Sequence, residues 1–476
     1  MLKDAFGLNV TTESPTVILM VNCFTQQALS YGNQALFYLD QGLVADPQCA
    51  LLHAYKAAHY LAQEDARFYG QALYHLQVAQ KHMGQVTDRE WGTIAAIAAW
   101  ASGDIQRAIA LYQQIIALYP QDLWAVQQAQ YHYFYRGDAQ QLLQVAVQVL
   151  PANDDNHYLY AMVAFGLEQC HRLPDAESFA RRAIALNRND PWAHHVIAHV
   201  LEAQGRIHEG IDWMERHADT WEQCNSLLYT HNWWHVALFY LAKGDVQRVL
   251  QLYDLHVWGR ANKESPKDQV GAISTLIRLD LQGVEVESRW QGLGTYLMPR
   301  LHEHSLPFQD LHYVYALARM GRSDLLTEML HSMQSHSQHI HPDARNTWVD
   351  VAIPAARGLA AHAMGCWSAA IAQLNPVLSR LHEVGGSHTQ RQVFHQLYWH
   401  AMKKTQTESK IIAFPTDAAS RSHSDESQSI GATPVSVSTP NGALLDGDRD
   451  VNESALAAAK LTAYRSILQR GQHIGC

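Results

Sequence analysis

The sequence predicts an all-α chain, an α-solenoid of stacked helical hairpins. Three observations carry that expectation. Apolar residues recur at three- and four-residue spacing from about residue 15 to 404, turn glycines fall on a regular beat, and alternating runs closed by hairpin turns are absent.

Taken in order, the chain opens on "MLKDAFGLNV", which lacks the basic and apolar regions of a signal peptide. The run "VILMVNCF" is too short to span a bilayer. Further on, "IQRAIALYQQIIALY" (105–119) carries a helical apolar stripe. Gly103 and Gly137 each follow an apolar helix and stand 34 residues apart; Gly205 lies twice 34 further on, with His171 at the intermediate step. Small residues keep the same beat, Ala96, Ala164 and Ala198 in first helices, Ala108, Ala176 and Gly210 in second helices. They let paired helices approach, and glycine accepts the positive φ of the turn between them. Pro120 closes one repeat and the chain restarts at "DLWA". A 34-residue helix–turn–helix unit is the tetratricopeptide signature. Gln130 and Leu142 stand where small residues are expected, so their repeat is degenerate.

Beyond 205 the beat lengthens, with turn glycines at Gly244, Gly283, Gly321 and Gly365 and loops such as "GRANKESPKDQ" (259–269). Pro299, Pro354 and Pro376 should start or kink helices. The expected organisation is an N-terminal hairpin array over 1–258 and further hairpins completing the solenoid over 259–404. A disordered linker rich in Ser, Thr, Asp and Pro follows at 405–453, then a terminal amphipathic helix at 454–476.

Composition narrows the function classes. Of 476 residues 47% are apolar, enough for a large core, and the net charge is -10 with neutral histidines. With no Lys/Arg run, neither nucleic acid nor a membrane is an expected partner. Six cysteines without a CxxC pair fit a reduced, cytoplasmic chain. The 29 histidines nearly match the 35 Lys plus Arg, so their protonation should erase the acidic balance a little below neutral pH. Composition leaves the oligomeric state open.

Specific stretches go further. "DPWAHHVIAHVLEAQGRIHEGIDWM" followed by "HNWWHVALFYLAKGDVQRVLQLYD" resembles the tetratricopeptide repeat protein 38 family, as do "PQDLWAVQQAQYHYFYRGD", "PFQDLHYVYALARMGR" and "GGSHTQRQVFHQL". The resemblance covers roughly residues 5 to 404 and implies an α-solenoid fold. Trp91 departs from it, since relatives usually carry a small residue or His there, and nothing carries over to the tail after 404.

The same stretches hold two i, i+4 histidine pairs. His195 and His199 share one helix face, with Glu202 continuing the stripe, and His231 and His235 share another. With the turn glycine as position 15, the first three fall at positions 5, 9 and 12 and the second pair at 2 and 6 of the next first helix, all on the concave groove. Adjacent first helices lie roughly 10 Å or less apart. The pairs are offset axially by only ~4.5 Å. The five side chains can therefore converge. Three readings stand: interhelical packing, a polar ligand pocket, or a metal site for Zn, Fe or Ni with His195, His199, Glu202, His231 and His235 as ligands. His194 points off this face.

Weaker candidates are an Asp310–His312 couple and a helix start at Ser387 with Gln390, where Arg391 could help hold an anion. Tyr131, Phe165 and Trp234 could stack on a groove ligand or pack in the core. Dinucleotide and P-loop fingerprints are absent. The sequence favours a cytoplasmic binding or scaffold protein whose His-rich groove takes a protein, a peptide or a small polar ligand. The alternative is a metal-dependent enzyme on the same groove.

Overall fold

The turns marked by glycine in the sequence are made by residues at positive φ: Gly103 at 81°, Gly137 at 71°, Gly205 at 70°, and the later four alike. His171 takes the same left-handed conformation at 58°, so it closes its hairpin as a glycine does. Helix starts are capped by side-chain oxygens. Asp104, Asp122, Asn156, Asp190 and Asn225 each accept from a backbone N–H of the first turn, and Thr87 with Glu90 forms a reciprocal capping box.

A computed structural model describes residues 1–412, with side chains to residue 407, and these lie in one compact unit. Helical hairpins fill it. The one paired-strand element among the described residues is at the N-terminus, where Leu2–Lys3 runs antiparallel to Asn9–Val10. The small residues of the 34-residue beat sit at helix crossings. Ala96, Ala164 and Ala198 are fully buried, and a Cβ on Gly210 would come within 2.3 Å of Phe239. In the degenerate repeat Gln130 replaces a small residue by making itself useful: its Nε2 donates to Leu142 O (2.9 Å) and Met162 O (3.1 Å), tying two neighbouring helices together. Pro299 and Pro376 sit in 3-10 turns, and Pro354 starts Ile353–Ala363 directly after the π-helical turn Thr347–Ala352.

First helices form the inner wall. Ala50–Leu61, Leu123–Arg136, His157–Gln169, Pro191–Ala203, Ser226–Lys243, Pro266–Leu281 and Pro307–Arg319 all send side chains to one cavity. The array curls until its early helices meet its late ones. Asp65 pairs with Arg300 (3.2 Å), Gln309 donates to Glu64 (2.6 Å), and Asn225 N donates to Tyr31 O (2.7 Å). Ser226–Lys243 packs on Pro266–Leu281, so no gap opens at residue 258.

One expected boundary moves. The last described helix runs His388–Ile412, past 404, because polar residues that read as linker continue its turns. The rest of the expected linker, from 413, and the expected helix at 454–476 lie outside the described residues. No helix among the described residues is long and apolar enough to cross a membrane.

Candidate functional site

Two adjacent first helices bring the histidine pairs together. Pro191–Ala203 presents His195 and His199, and Ser226–Lys243 presents His231 and His235. A ligand-capable atom from each of the four lies within 4.8 Å of the others. His195 Nε2 is 2.9 Å from His199 Nε2 and 3.1 Å from His231 Nε2. His195, His199 and His235 are buried, while His231 is half-buried. Aromatic rings hold the imidazoles in place: Trp192 lies 4.6 Å from the His195 ring, and Trp234 stacks on His231 at 5.1 Å.

Glu202 does not join the four. Its Oε2 lies behind the cluster, 3.5 Å from His235 Nδ1, so the expected five-residue set divides into four imidazoles and a carboxylate outside them. A second carboxylate, absent from the sequence reading, does the same for His199: Glu168 Oε1 is 3.3 Å from His199 Nδ1. The 34-residue beat could have found it, since Glu168 and Glu202 occupy the same position of successive repeats.

The carboxylates divide the cluster electrostatically. Burial alone would lower the pKa of His199, but the adjacent Glu168 outweighs it and holds it above the usual value. Burial likewise pushes Glu168 up, yet His199 brings it below the ordinary carboxylate range. The other imidazoles lose to burial and to the His199 charge: His195 and His235 fall well below the ordinary value and His231 falls to about 3. Burial raises Glu202 to about 7 against the pull of His199 and Arg278.

His195, His231 and Trp234 form part of the wall of a cavity of about 580 Å³. Tyr131 and Phe165 also face it, so the three expected groove aromatics border this space while packing against neighbours. At another part of the wall Lys267 pairs with Glu64 (3.1 Å), which also accepts from Tyr131 Oη (2.8 Å).

The weaker candidates separate. Asp310 and His312 do not pair, because residues two apart point to different sides of a helix. Asp310 instead meets His304 Nδ1 at 2.6 Å, and His312 Nδ1 lies 2.8 Å from Phe308 O. Ser387 and Gln390 form the reciprocal cap, at 3.2 and 2.8 Å. Arg391 donates to the Gly386 carbonyl and lies 3.3 Å from His388 Nδ1, so its guanidinium is engaged by the turn that starts the helix. His194 packs as expected off the face, with Nε2 2.8 Å from Arg188 O and Nδ1 accepting from Trp221 Nε1.

No family model matches the chain. Solved structures similar to it are helical-repeat proteins. The human IFIT1 dimer with m7Gppp-AAAA is similar over 85% of this chain and 89% of that one, at 14% identity and a TM-score of 0.42. A Rap protein complexed with competence and sporulation factor is similar over 83% and 100%, at 12% identity and 0.40. MamA from AMB-1 is similar over 35% and 97%, at 20% identity and 0.27.

Proposed function

We propose that this chain is a binding protein of tetratricopeptide type, of the kind its motifs suggest in the tetratricopeptide repeat protein 38 family. It encloses a small polar ligand or the end of a peptide. The observation that carries this reading is the cavity itself. Its volume of about 580 Å³ falls within the roughly 300–1,000 Å³ of small-ligand pockets. Its wall combines flat aromatic faces, such as Trp192 and Tyr131, with separated polar groups, Lys267 with Glu64 and His195 with His231. Aromatic faces supply buried area, and a few polar groups fix orientation.

Gly271 provides the test. It lines the cavity on the Pro266–Leu281 helix, and a Cβ there meets nothing within 4 Å. Gly271→Phe should therefore fill the cavity from a helix that tolerates the change. A thermal-shift series with free amino acids, amidated and unamidated dipeptides and aromatic acids should find compounds that stabilise the natural chain but not Gly271→Phe. Compounds that stabilise both equally bind elsewhere, and a panel without any stabiliser counts against the reading.

One observation favours a second reading, a metal-dependent enzyme. The imidazoles on the cavity wall belong to the same cluster as His199 and His235, so an ion held there would be within reach of a bound molecule.

A further inference from the structure

We infer that His195, His199, His231 and His235 together hold one late first-row divalent metal ion, of the zinc class, at the wall of the cavity. The inference deepens the proposed function by naming a second ligand at the same wall, but it rests on donor geometry and not on the cavity's occupant.

The first argument is hydrogen-bond bookkeeping. An imidazole nitrogen carries either one proton or one lone pair. His195 Nε2 nonetheless faces two other imidazole nitrogens at hydrogen-bond distance, so it can satisfy only one of them. Neither nitrogen of the fully buried His235 has a hydrogen-bond partner among the described residues. Buried polar atoms left in that condition call for a partner. A single cation at the centre accepts all four lone pairs at once.

The second argument is spacing. Four nitrogens at 2.0–2.1 Å around a tetrahedral zinc ion stand about 3.3 Å apart. The 2.9 and 3.1 Å separations fall slightly short of that value, and the whole set lies within 4.8 Å. Small ring rotations suffice. All-imidazole donors suit zinc, cobalt, nickel or copper, whereas calcium and magnesium prefer oxygen.

The third argument lies behind the rings. When the Nε2 atoms face a metal, each proton moves to Nδ1, and that is where the carboxylates wait: Glu168 behind His199 and Glu202 behind His235. Carboxylates in this position fix the tautomer and strengthen the imidazole as a ligand. Neither carboxylate makes an ion pair with a lysine or arginine among the described residues. A divalent ion supplies the compensating charge.

The experiment uses the full chain without a histidine tag, stripped by chelator and titrated with Zn²⁺ against a chromophoric chelator. A parallel Co²⁺ titration reads the visible d–d bands of tetrahedral cobalt. One equivalent of each should bind, with nitrogen-type tetrahedral bands for cobalt. Glu202→Gln should weaken zinc by about 10–100-fold, and loss of a ligand should weaken it further. His199→Ala or His235→Ala could unfold a buried cluster, so the half-buried His231→Gln serves as the second ligand variant, its fold checked by circular dichroism. Asp104, His341 and Asp343 form a more exposed group elsewhere, and His341→Ala should leave the equivalent intact. Absence of a stoichiometric equivalent, or an equivalent that survives His231→Gln undiminished, overturns the inference. So does an equivalent lost in His341→Ala. Zinc binding needs no cavity ligand, so this result and the Gly271→Phe result stand or fall separately.

Discussion

Glu168 is buried to 3% exposure, and its charge is answered by an imidazole and by Gln169 Nε2 at 2.5 Å. Glu168→Ala removes the counter-charge of His199 and the acceptor of Gln169 Nε2 inside the core, where an unsatisfied polar group costs about 1–3 kcal/mol. Glu202→Ala should cost less, because Glu202 Oε2 makes no hydrogen bond that the change would break. Urea denaturation measures both. A loss for Glu168→Ala no larger than that for Glu202→Ala would show that the His199 contact does not stabilise the fold. At this scale the sequence was partly legible. Helical spacing places His195 with His199 and His231 with His235, and it separates His194, because local geometry fixes which side chains share a face. It does not reveal His304 as the partner of Asp310, since that contact forms across a loop. Nor does it separate Glu202 from the metal-ligand set. A one-turn step along a helix does not say whether a long side chain reaches inward or stands behind its neighbours.

Two helix glycines separate what an element needs from what it tolerates. Gly166 lies within His157–Gln169, and a Cβ there would stand 2.6 Å from the backbone Cα of Leu143. Backbone cannot move aside as a side-chain tip can, so Gly166→Ala should destabilise by about 1–3 kcal/mol through overpacking. Gly271, with nothing within 4 Å of its Cβ, should behave oppositely. Gly271→Ala should stabilise by roughly 0.5–1 kcal/mol, because alanine restricts the unfolded chain and favours helix. Denaturation midpoints of the two variants should shift in opposite directions; shifts of the same sign would mean that helix propensity, not interhelical space, sets both. The sequence marks turn glycines well, since they recur on the repeat beat just after an apolar helix. It cannot rank helix-interior glycines, because their worth depends on the helix packed opposite. The same reason hides the closing contacts of Glu64 with Gln309 and Asp65 with Arg300, which join residues far apart in the chain.

Across the whole molecule burial sets many histidines apart from what composition alone predicts. Composition alone has them charging a little below neutral pH and erasing the net charge of -10. Burial prevents many of them from doing so in the folded chain. Desolvation lowers His132, His194 and His362 to about 3 and His312 to about 4. All four are at most 4% exposed. The unfolded chain has no such protection, and its histidines titrate near 6.5. The sign follows from proton binding. Above pH ~6.5 neither state binds these protons and nothing is lost. As pH falls from ~6.5 toward the folded values, the unfolded state binds protons that the native state refuses, and stability drops by up to ~1.4 kcal/mol per histidine per pH unit. Two acids oppose this. Burial raises Glu202 to about 7 and Asp268 to about 6, so the native state takes up their protons first. These four histidines outnumber the two carboxylates, so their losses prevail over the interval, against a total stability of about 5–15 kcal/mol. The fold should therefore weaken steeply between about pH 6.5 and 4.5, well above the range where ordinary surface carboxylates protonate. Urea midpoints measured at closely spaced pH values from 8 to 5 would reveal it as a falling curve with its break near pH ~6.5. A shallower slope in His132→Gln, which removes one refused proton while keeping a polar side chain of similar reach, would tie the loss to burial. A midpoint that stays level down to about pH 5 would mean that these imidazoles protonate within the native fold, and that the interior yields to charge more readily than its packing implies.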